Sequence, residues 1–265
     1  MSTVAMFVHP ERPQAIALGE TIRHWLDKRG HIVLDSPASD NSIDLVVSIG
    51  GDGTVLRSAR LAVDSDADVL GINLGEMGYL AEVEPDSWEV ALESYFAGSH
   101  LIQERMLVAS RVDDGPLLHR ALNEVVIEKQ AVGHTIRLSV HIDGAFFTSY
   151  VADGLIVATP TGSTAYSLSA RGPIVDPSHQ ALIMTPVSPH SLFDRSLVLR
   201  PDSTIEITLS GGRDAALSID GQRETEVAVG QKVTVTASQQ PARFAHLGGR
   251  TFHQVLKAKF GLSDR

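Results

Sequence analysis

Leu45-Val46-Val47-Ser48-Ile49-Gly50-Gly51-Asp52-Gly53-Thr54 reads as a strand that breaks into a glycine turn. The first five residues follow Asp44, are rich in Val and Ile and lack helical spacing, which predicts a buried strand. Three glycines then fall within four residues and end it. Glycine tolerates positive φ and carries no Cβ, so a ligand can approach the main chain there. Val55 to Ala62 predicts a helix capped by Thr54. Strand, glycine turn and helix N-terminus together form an anion site, because unpaired N–H groups and the helix dipole both favour phosphate. An acid among phosphate-facing amides, here Asp52, has a purpose if it holds a metal or takes a proton. The plain alternative is a tight turn with an ordinary turn-forming Asp. Neither the GxGxxG fingerprint nor the P-loop, with its terminal Gly-Lys-Ser/Thr, is present.

Outward from this stretch, Val4 to Val8 predicts a first strand. The spacing of Leu18, Ile22 and Trp25 predicts an amphipathic helix from Pro13 to Arg29, closed by Gly30. Ile32 to Leu34 and Val69 to Asn73 read as further strands, and Asp86 to Phe96 as a helix ending at Gly98. Strands alternating with helices imply a Rossmann-like α/β domain with a parallel sheet over residues 1–100. Ligands of such sheets bind beyond the carboxyl ends of the strands, where Asp52 and Asn73 lie.

From about residue 101 to 247 the runs become short and β-branched: Leu122 to Ile127, Ile136 to Ile142, Leu155 to Ala158, Ile205 to Leu209, Ala216 to Ile219, Val233 to Thr236. Asp143-Gly144 and Asp220-Gly221 are hairpin turns. This half is predicted to be β-rich, two packed antiparallel sheets. The tail is helical again, with Phe252, Val255, Leu256 and Phe260 on one face. Residues 248–265 are therefore expected to return to the first domain.

Composition narrows the function. Among 265 residues, 43% are hydrophobic and 20% charged, as in a soluble globular chain. No apolar run approaches the ~18 residues that span a bilayer. The N-terminus lacks the basic-then-apolar layout of a signal peptide, and the absence of cysteine fits a cytoplasmic protein. A formal charge of −10 argues against a nucleic-acid surface, yet a local nest of amides can still bind phosphate. The eleven histidines show no HxxxH or HExxH spacing, so no protein-held metal is expected. There is no GxSxG nucleophile elbow.

A second constellation lies in the β-rich half. Asn123-Glu124 precedes an apolar strand, and an amide beside a carboxylate can read a donor/acceptor edge and a sugar diol together. Asp153-Gly154 introduces Leu155 to Ala158. Thr159 to Ser169 then carries seven hydroxyl side chains in eleven residues, a platform for hydrogen-bonding a ligand and stacking an aromatic ring. Each piece has an ordinary structural reading, a strand start or a polar loop. Their coincidence with Asp52 in one chain favours a site.

Taken in order, Gly50 to Thr54, Gly71-Ile72-Asn73-Leu74-Gly75, Asn123-Glu124, Asp153-Gly154, Thr159 to Ser169, Pro189-His190-Ser191-Leu192 and Asp220-Gly221-Gln222 resemble the NAD kinase family across almost the whole chain. The glycine-Asp motif is shared with diacylglycerol, sphingosine and 6-phosphofructokinases; the Thr159 to Ser169 run is far more specific. The resemblance implies transfer of the γ-phosphate of ATP to the 2′-hydroxyl of the adenosine ribose of NAD, giving NADP, by a homodimer or homotetramer. It makes Asp52 the proton acceptor with Gly53 beside the substrate. Asn123, Glu124, Asp153, Thr164, Ala165, Tyr166, Ser167, Leu168, Ser169, Ser188 and Gln222 fall at NAD-contact positions. Gly50, Gly51, Gly53, Thr54 and Arg57 fall on the phosphate side, where ATP, or polyphosphate, would be the donor. Mg²⁺ would travel with the nucleotide rather than in a protein cage. The chain departs from the family pattern at Val151, Arg171 and Ser188, and His134 falls at a variable contact position; these bear on the nicotinamide-end contacts. A lipid kinase would need an apolar slot or a basic amphipathic helix, which this chain lacks. A non-enzymatic NAD sensor would not need Asp52.

Overall fold

In the computed structural model, which describes residues 1–35, 42–75 and 78–262, the chain opens with β1 (Thr3–Val8), α1 (Pro13–Lys28), β2 (Ile32–Leu34), β3 (Leu45–Gly50) and α2 (Asp52–Asp64). It continues through β4 (Asp68–Asn73), a 3₁₀ turn at Pro85–Ser87, α3 (Trp88–Phe96) and β5 (Leu101–Arg105). A long β series follows: β6 (Val108–Val112), β7 (Glu124–Lys129), β8 (Ile136–Ile142), β9 (Ala145–Ala152) and β10 (Gly154–Ala158). Next come a 3₁₀ turn at Thr161–Thr164, α4 (Tyr166–Ser169), β11 (Leu182–Val187), β12 (Leu197–Leu199) and β13 (Ile205–Gly211). The last elements are β14 (Ala215–Ile219), β15 (Gln222–Val227), β16 (Lys232–Ala237), β17 (Ala242–His246) and α5 (Phe252–Lys259).

These elements form two units, Met1–Glu104 with Ala242–Arg265, and Arg105–Pro241. In the first, one sheet runs in the order β2-β1-β3-β4-β17-β5, and the pairs β1–β2, β1–β3, β3–β4 and β4–β17 are parallel. Every residue of β3 and β4 is buried, as expected for parallel strands with both faces covered. Helix α1 starts on Pro13, whose missing N–H costs nothing there, and buries Ala15, Gly19, Ile22, Trp25 and Leu26. A Cβ at Gly19 would stand 3.0 Å from Val8 Cγ2, so glycine lets helix and strand approach.

Two features of this unit differ from the sequence reading. Helix α2 begins at Asp52, with Gly51 as its N-cap and no side-chain cap bond. Thr54 is therefore no cap; it is buried in the first turn, with its hydroxyl where a Cβ of Gly50 would lie. The other is β17, for which the sequence offers no alternating apolar signal. It pairs Arg243 with Asp68 and Phe244 with Val69. Its arginine Nε donates to Asp68 Oδ1 at 2.8 Å while Tyr95 Oη donates to Oδ2 at 2.9 Å, which fastens β17 and α3 to the start of β4.

The second unit holds two antiparallel sheets, β12-β11-β10-β7-β14-β15 and β6-β16-β13-β8-β9. Alternate residues of β8 and β13 (Ile136, Leu138, Val140; Ile205, Ile207, Leu209) join Val125, Ile127, Leu155, Val157 and Leu217 in one core. Asp143-Gly144 and Asp220-Gly221 make the β8–β9 and β14–β15 turns, with positive φ at both residues of each pair. The far face of β10 is covered too: Ile156 and Ala158 pack with Val126, Ile183, Ala170 and Val175. That double burial explains its unbroken apolar run. Strand β11 has the disfavoured Pro186, tolerated because β12 ends opposite Met184 and leaves that side unpaired. No described helix is long and apolar enough to cross a membrane.

Leu138 is fully buried in the sandwich core, so Leu138→Ala should cost about 2–5 kcal/mol. Denaturant unfolding should report it as a lowered midpoint at unchanged slope.

Candidate active site

At the carboxyl ends of β3 and β4, Gly50 pairs with Asn73, and Leu74 N–H donates to Gly50 O at 2.8 Å. Asn73 is buried, and its Oδ1 accepts the Gly75 N–H at 3.2 Å. Asp52, in the first turn of α2, turns its carboxylate to the segment that follows. Oδ2 accepts the Tyr79 N–H at 2.8 Å, and Oδ1 accepts those of Leu80 and Ala81 at 3.0 and 3.3 Å. A Cβ at Gly78 would overlap that carboxylate, so the approach demands glycine there. Burial and the Asp52 charge together raise the Tyr79 phenol above its usual value.

The turn does not use its glycines for left-handed backbone. None of Gly50, Gly51 or Gly53 has positive φ. Among the described residues, nothing lies within 4 Å of a Cβ position at Gly51 or Gly53. Arg57, one turn further along α2, has its guanidinium 5.9 Å from the Phe7 ring centroid.

In the second unit the sequence-predicted residues separate along β10. Ala158 pairs with Glu124 at one end, where Asn123, Thr159 and Gln222 also gather, since Ile219 pairs with both Val125 and Gln222. At the other end Gly154 pairs with Val187, placing Asp153 and Ser188 together; Ser188 is exposed, with φ 46°. Asp153 Oδ1 pairs with Lys129 Nζ at 2.5 Å. The loop from Thr159 folds back and joins the ends. Tyr166, 37% exposed, has its phenol raised by burial and by the charges of Glu128, Asp153 and Glu124.

Four of the seven hydroxyls of that loop are bonded to groups of the protein itself. Thr159 Oγ1 donates to Leu122 O at 2.5 Å and accepts the Gly162 N–H at 3.0 Å. Ser163 Oγ exchanges bonds with the Val175 backbone, Thr164 Oγ1 donates to Thr161 O, and Ser167 Oγ meets Thr185 Oγ1 at 3.1 Å. Gly162 lies against the Asn123 carbonyl, leaving no room for a side chain. Ala165 and Leu168 are half-buried, and Ser169 is exposed.

One residue that sequence reasoning spent on a turn proves central here. Asp220 accepts the N–H groups of Leu122, Asn123 and Glu124 at 2.9, 2.7 and 3.1 Å. Its Asp-Gly context announces a hairpin and conceals the carboxylate's second task. Glu128 was also missed, because it reads as an ordinary polar strand residue. Glu124 is only 5% exposed, and its Oε2 has no hydrogen-bond partner among the described residues. Burial, helped by the Asp220 charge, pushes its carboxyl up to about 8, against the pull of the Tyr166 backbone N–H. At neutral pH it is therefore mostly protonated and can donate as well as accept.

This carboxyl keeps its proton in the folded state to about pH 8, whereas unfolded it loses it near its ordinary 4.5. Its contribution to stability is complete below the lower value and is lost as pH rises toward the upper one. Glu124→Gln should remove that decline, gaining on the parent across this window by an amount on the order of a few kcal/mol. Denaturant titrations at intervals through the window would measure it.

The chain matches the ATP-NAD kinase N-terminal domain over residues 35–100 and the ATP-NAD kinase C-terminal domain over residues 122–247. It is 38% identical over 278 residues to the NAD kinase of Heliobacterium modesticaldum, covering 98% of each. An NAD kinase from Archaeoglobus fulgidus, solved in complex with ATP, superposes with a TM-score of 0.76 at 26% identity, covering 98% of this chain and 96% of that one. A yeast NADH kinase complexed with NADH shares the fold at a TM-score of 0.91 and 24% identity, covering 100% of this chain and 89% of that one. By domain content and by likeness over its whole length, this chain belongs to the NAD kinase family.

Proposed function

We propose that this NAD kinase works through Asp52 as proton acceptor: the ribose 2′-oxygen attacks the γ-phosphorus of ATP, its proton passes to the carboxylate, and ADP leaves. The carrying observation is a carboxylate at the head of α2 fixed by three backbone amides, beside Gly51 and Gly53, which have no described neighbour at a Cβ position. Oδ1 already accepts two N–H groups and Oδ2 only one, so Oδ2 is the oxygen with room for a proton. Gly50, Gly51, Gly53 and Thr54 offer backbone to the phosphates, and Arg57 is the nearby cation on α2. Most of the rate comes from positioning and charge neutralisation, since phosphoryl transfer leaves little covalent work to the protein.

The β-rich unit is the NAD-binding domain in this reading. Asn123 and Glu124 hold adenine and ribose groups; Asp153, Thr164, Ala165, Tyr166, Ser167, Leu168, Ser169, Ser188 and Gln222 complete the dinucleotide contacts. Ser167, whose hydroxyl is engaged with Thr185, contributes by shaping the loop. Among the described residues no three His, Asp or Glu side chains converge to hold a metal, and Asp52 directs both oxygens at amides. In this reading Mg²⁺ would travel with ATP, where it would offset phosphate charge. Assembly as a homodimer or homotetramer, use of polyphosphate as donor, and a cytoplasmic setting for this cysteine-free chain belong to the same reading.

Incubation with NAD, Mg²⁺ and either ATP or polyphosphate, followed by assay for NADP, tests the reaction and the donor. Asp52→Asn keeps an acceptor for Leu80 and Ala81, so NAD binding should persist while turnover falls at least about a hundredfold. Near-normal turnover in that variant would remove Asp52 from the mechanism. Asn123→Ala should weaken NAD binding roughly tenfold by calorimetry, the loss of a net hydrogen bond. An unchanged affinity would mean that adenine is held elsewhere.

A further inference from the structure

The three N–H groups on Asp52 belong to a segment outside any strand, so something must hold that segment in place. Val83, just beyond it, bonds to β4: its N–H donates to Gly71 O at 3.1 Å, and its carbonyl accepts the Asn73 N–H at 2.8 Å. Between Val83 and the Asp52 contacts stands Glu82. Its Oε2 lies 2.6 Å from His246 Nδ1, and its Oε1 accepts the Leu247 N–H at 2.7 Å. Gly249 closes over the same carboxylate: a Cβ there would come within 3.0 Å of Glu82 Cδ. Both side chains are about three-quarters buried, at 26% and 20% side-chain exposure. His246 is the last residue of β17, itself paired to β4.

We infer that Glu82 and His246 are a positioning pair for the reaction, clamping residues 79–81 to the end of β17 so that their amides aim the Asp52 carboxylate. The inference rests on Asp52 being the proton acceptor. Ala81, whose N–H bonds Asp52, is directly bonded in sequence to Glu82, so a shift of the clamp is transmitted through one peptide unit. A displacement of about 1 Å at a reacting group, caused from a distance, can cost on the order of a hundredfold in rate. The pair touches neither reacting atoms nor phosphates in this scheme, which separates it from a catalytic role.

The test combines kinetics with amide hydrogen exchange on the full chain. Glu82→Ala should lower kcat by about 10- to 100-fold with KM for NAD and ATP little changed, and should speed exchange of the Tyr79, Leu80 and Ala81 amides. Glu82→Gln, which still accepts from Leu247 and can donate to the His246 imine nitrogen, should recover most of both. In an Asp52→Asn background the rate loss from Glu82→Ala should vanish, because the two act through one carboxylate. Should Glu82→Ala fail to fold, His246→Ala breaks the same bond from the other side, with His246→Asn as its rescue. Unchanged kcat and exchange in these variants would overturn the inference, as would an equal fractional loss with and without Asp52. Full activity of Asp52→Asn alone would instead overturn the proton-acceptor reading, and exchange would then judge the clamp by itself.

Discussion

Three consecutive backbone N–H groups converging on one carboxylate organise the functional end of the first unit. Residues 79–81 have no strand to pair with, and a donor buried without an acceptor costs about 1–3 kcal/mol. Asp52 answers all three, and so ties the first turn of α2 to the chain that leaves β4. The same bonds restrict its side chain to one orientation, which a proton acceptor needs. Stability and geometry are thus joined in one residue. Gly78 is the condition for the contact, since any side chain there would occupy the carboxylate's place.

The β-rich unit solves a different problem. Strand β10 is apolar on both faces, and a sandwich can cover only one. The loop from Thr159 covers the other through Ala170 and Val175, and a loop so placed must satisfy its own buried polar groups. Thr159, Ser163, Thr164 and Ser167 do this with local or nearby partners. The density of hydroxyls, which reads in sequence as a ligand platform, is in large part internal wiring. Tyr166 and Ser169 are the members left on the surface.

Much of this was legible beforehand, for identifiable reasons. The parallel sheet follows from unbroken Val/Ile runs separated by amphipathic helices, and both Asp-Gly hairpins follow from turn chemistry. Asp52 and Asn73 lie at one end of the sheet because Asp52 follows β3 by two residues and Asn73 closes its neighbour β4. What escaped had no local signature. Strand β17 is recruited by tertiary contacts, Arg243 with Asp68 among them, and not by its own pattern. The start of α2 was misplaced because Thr54 looks like a cap, whereas the helix begins on Asp52, whose carboxylate is spent on a distant loop. Asp220 and Glu82 escaped because their partners lie roughly a hundred or more residues away in sequence.

The arrangement around Asp220 repeats the device at Asp52. Again three consecutive N–H groups, those of Leu122, Asn123 and Glu124, are captured by an aspartate that begins a turn. Its charge is also one of the causes that raise the neighbouring Glu124. Asp220 thus holds backbone, while Glu124, raised chiefly by burial, offers a hydroxyl donor. The neutral form is what lets Glu124 sit almost fully buried. It also sets what Glu124 can recognise: a ligand acceptor as readily as a donor, next to an Asn123 amide with the same double capacity. In the proposed reading, a sugar diol and a base edge of NAD are the groups this pair would meet.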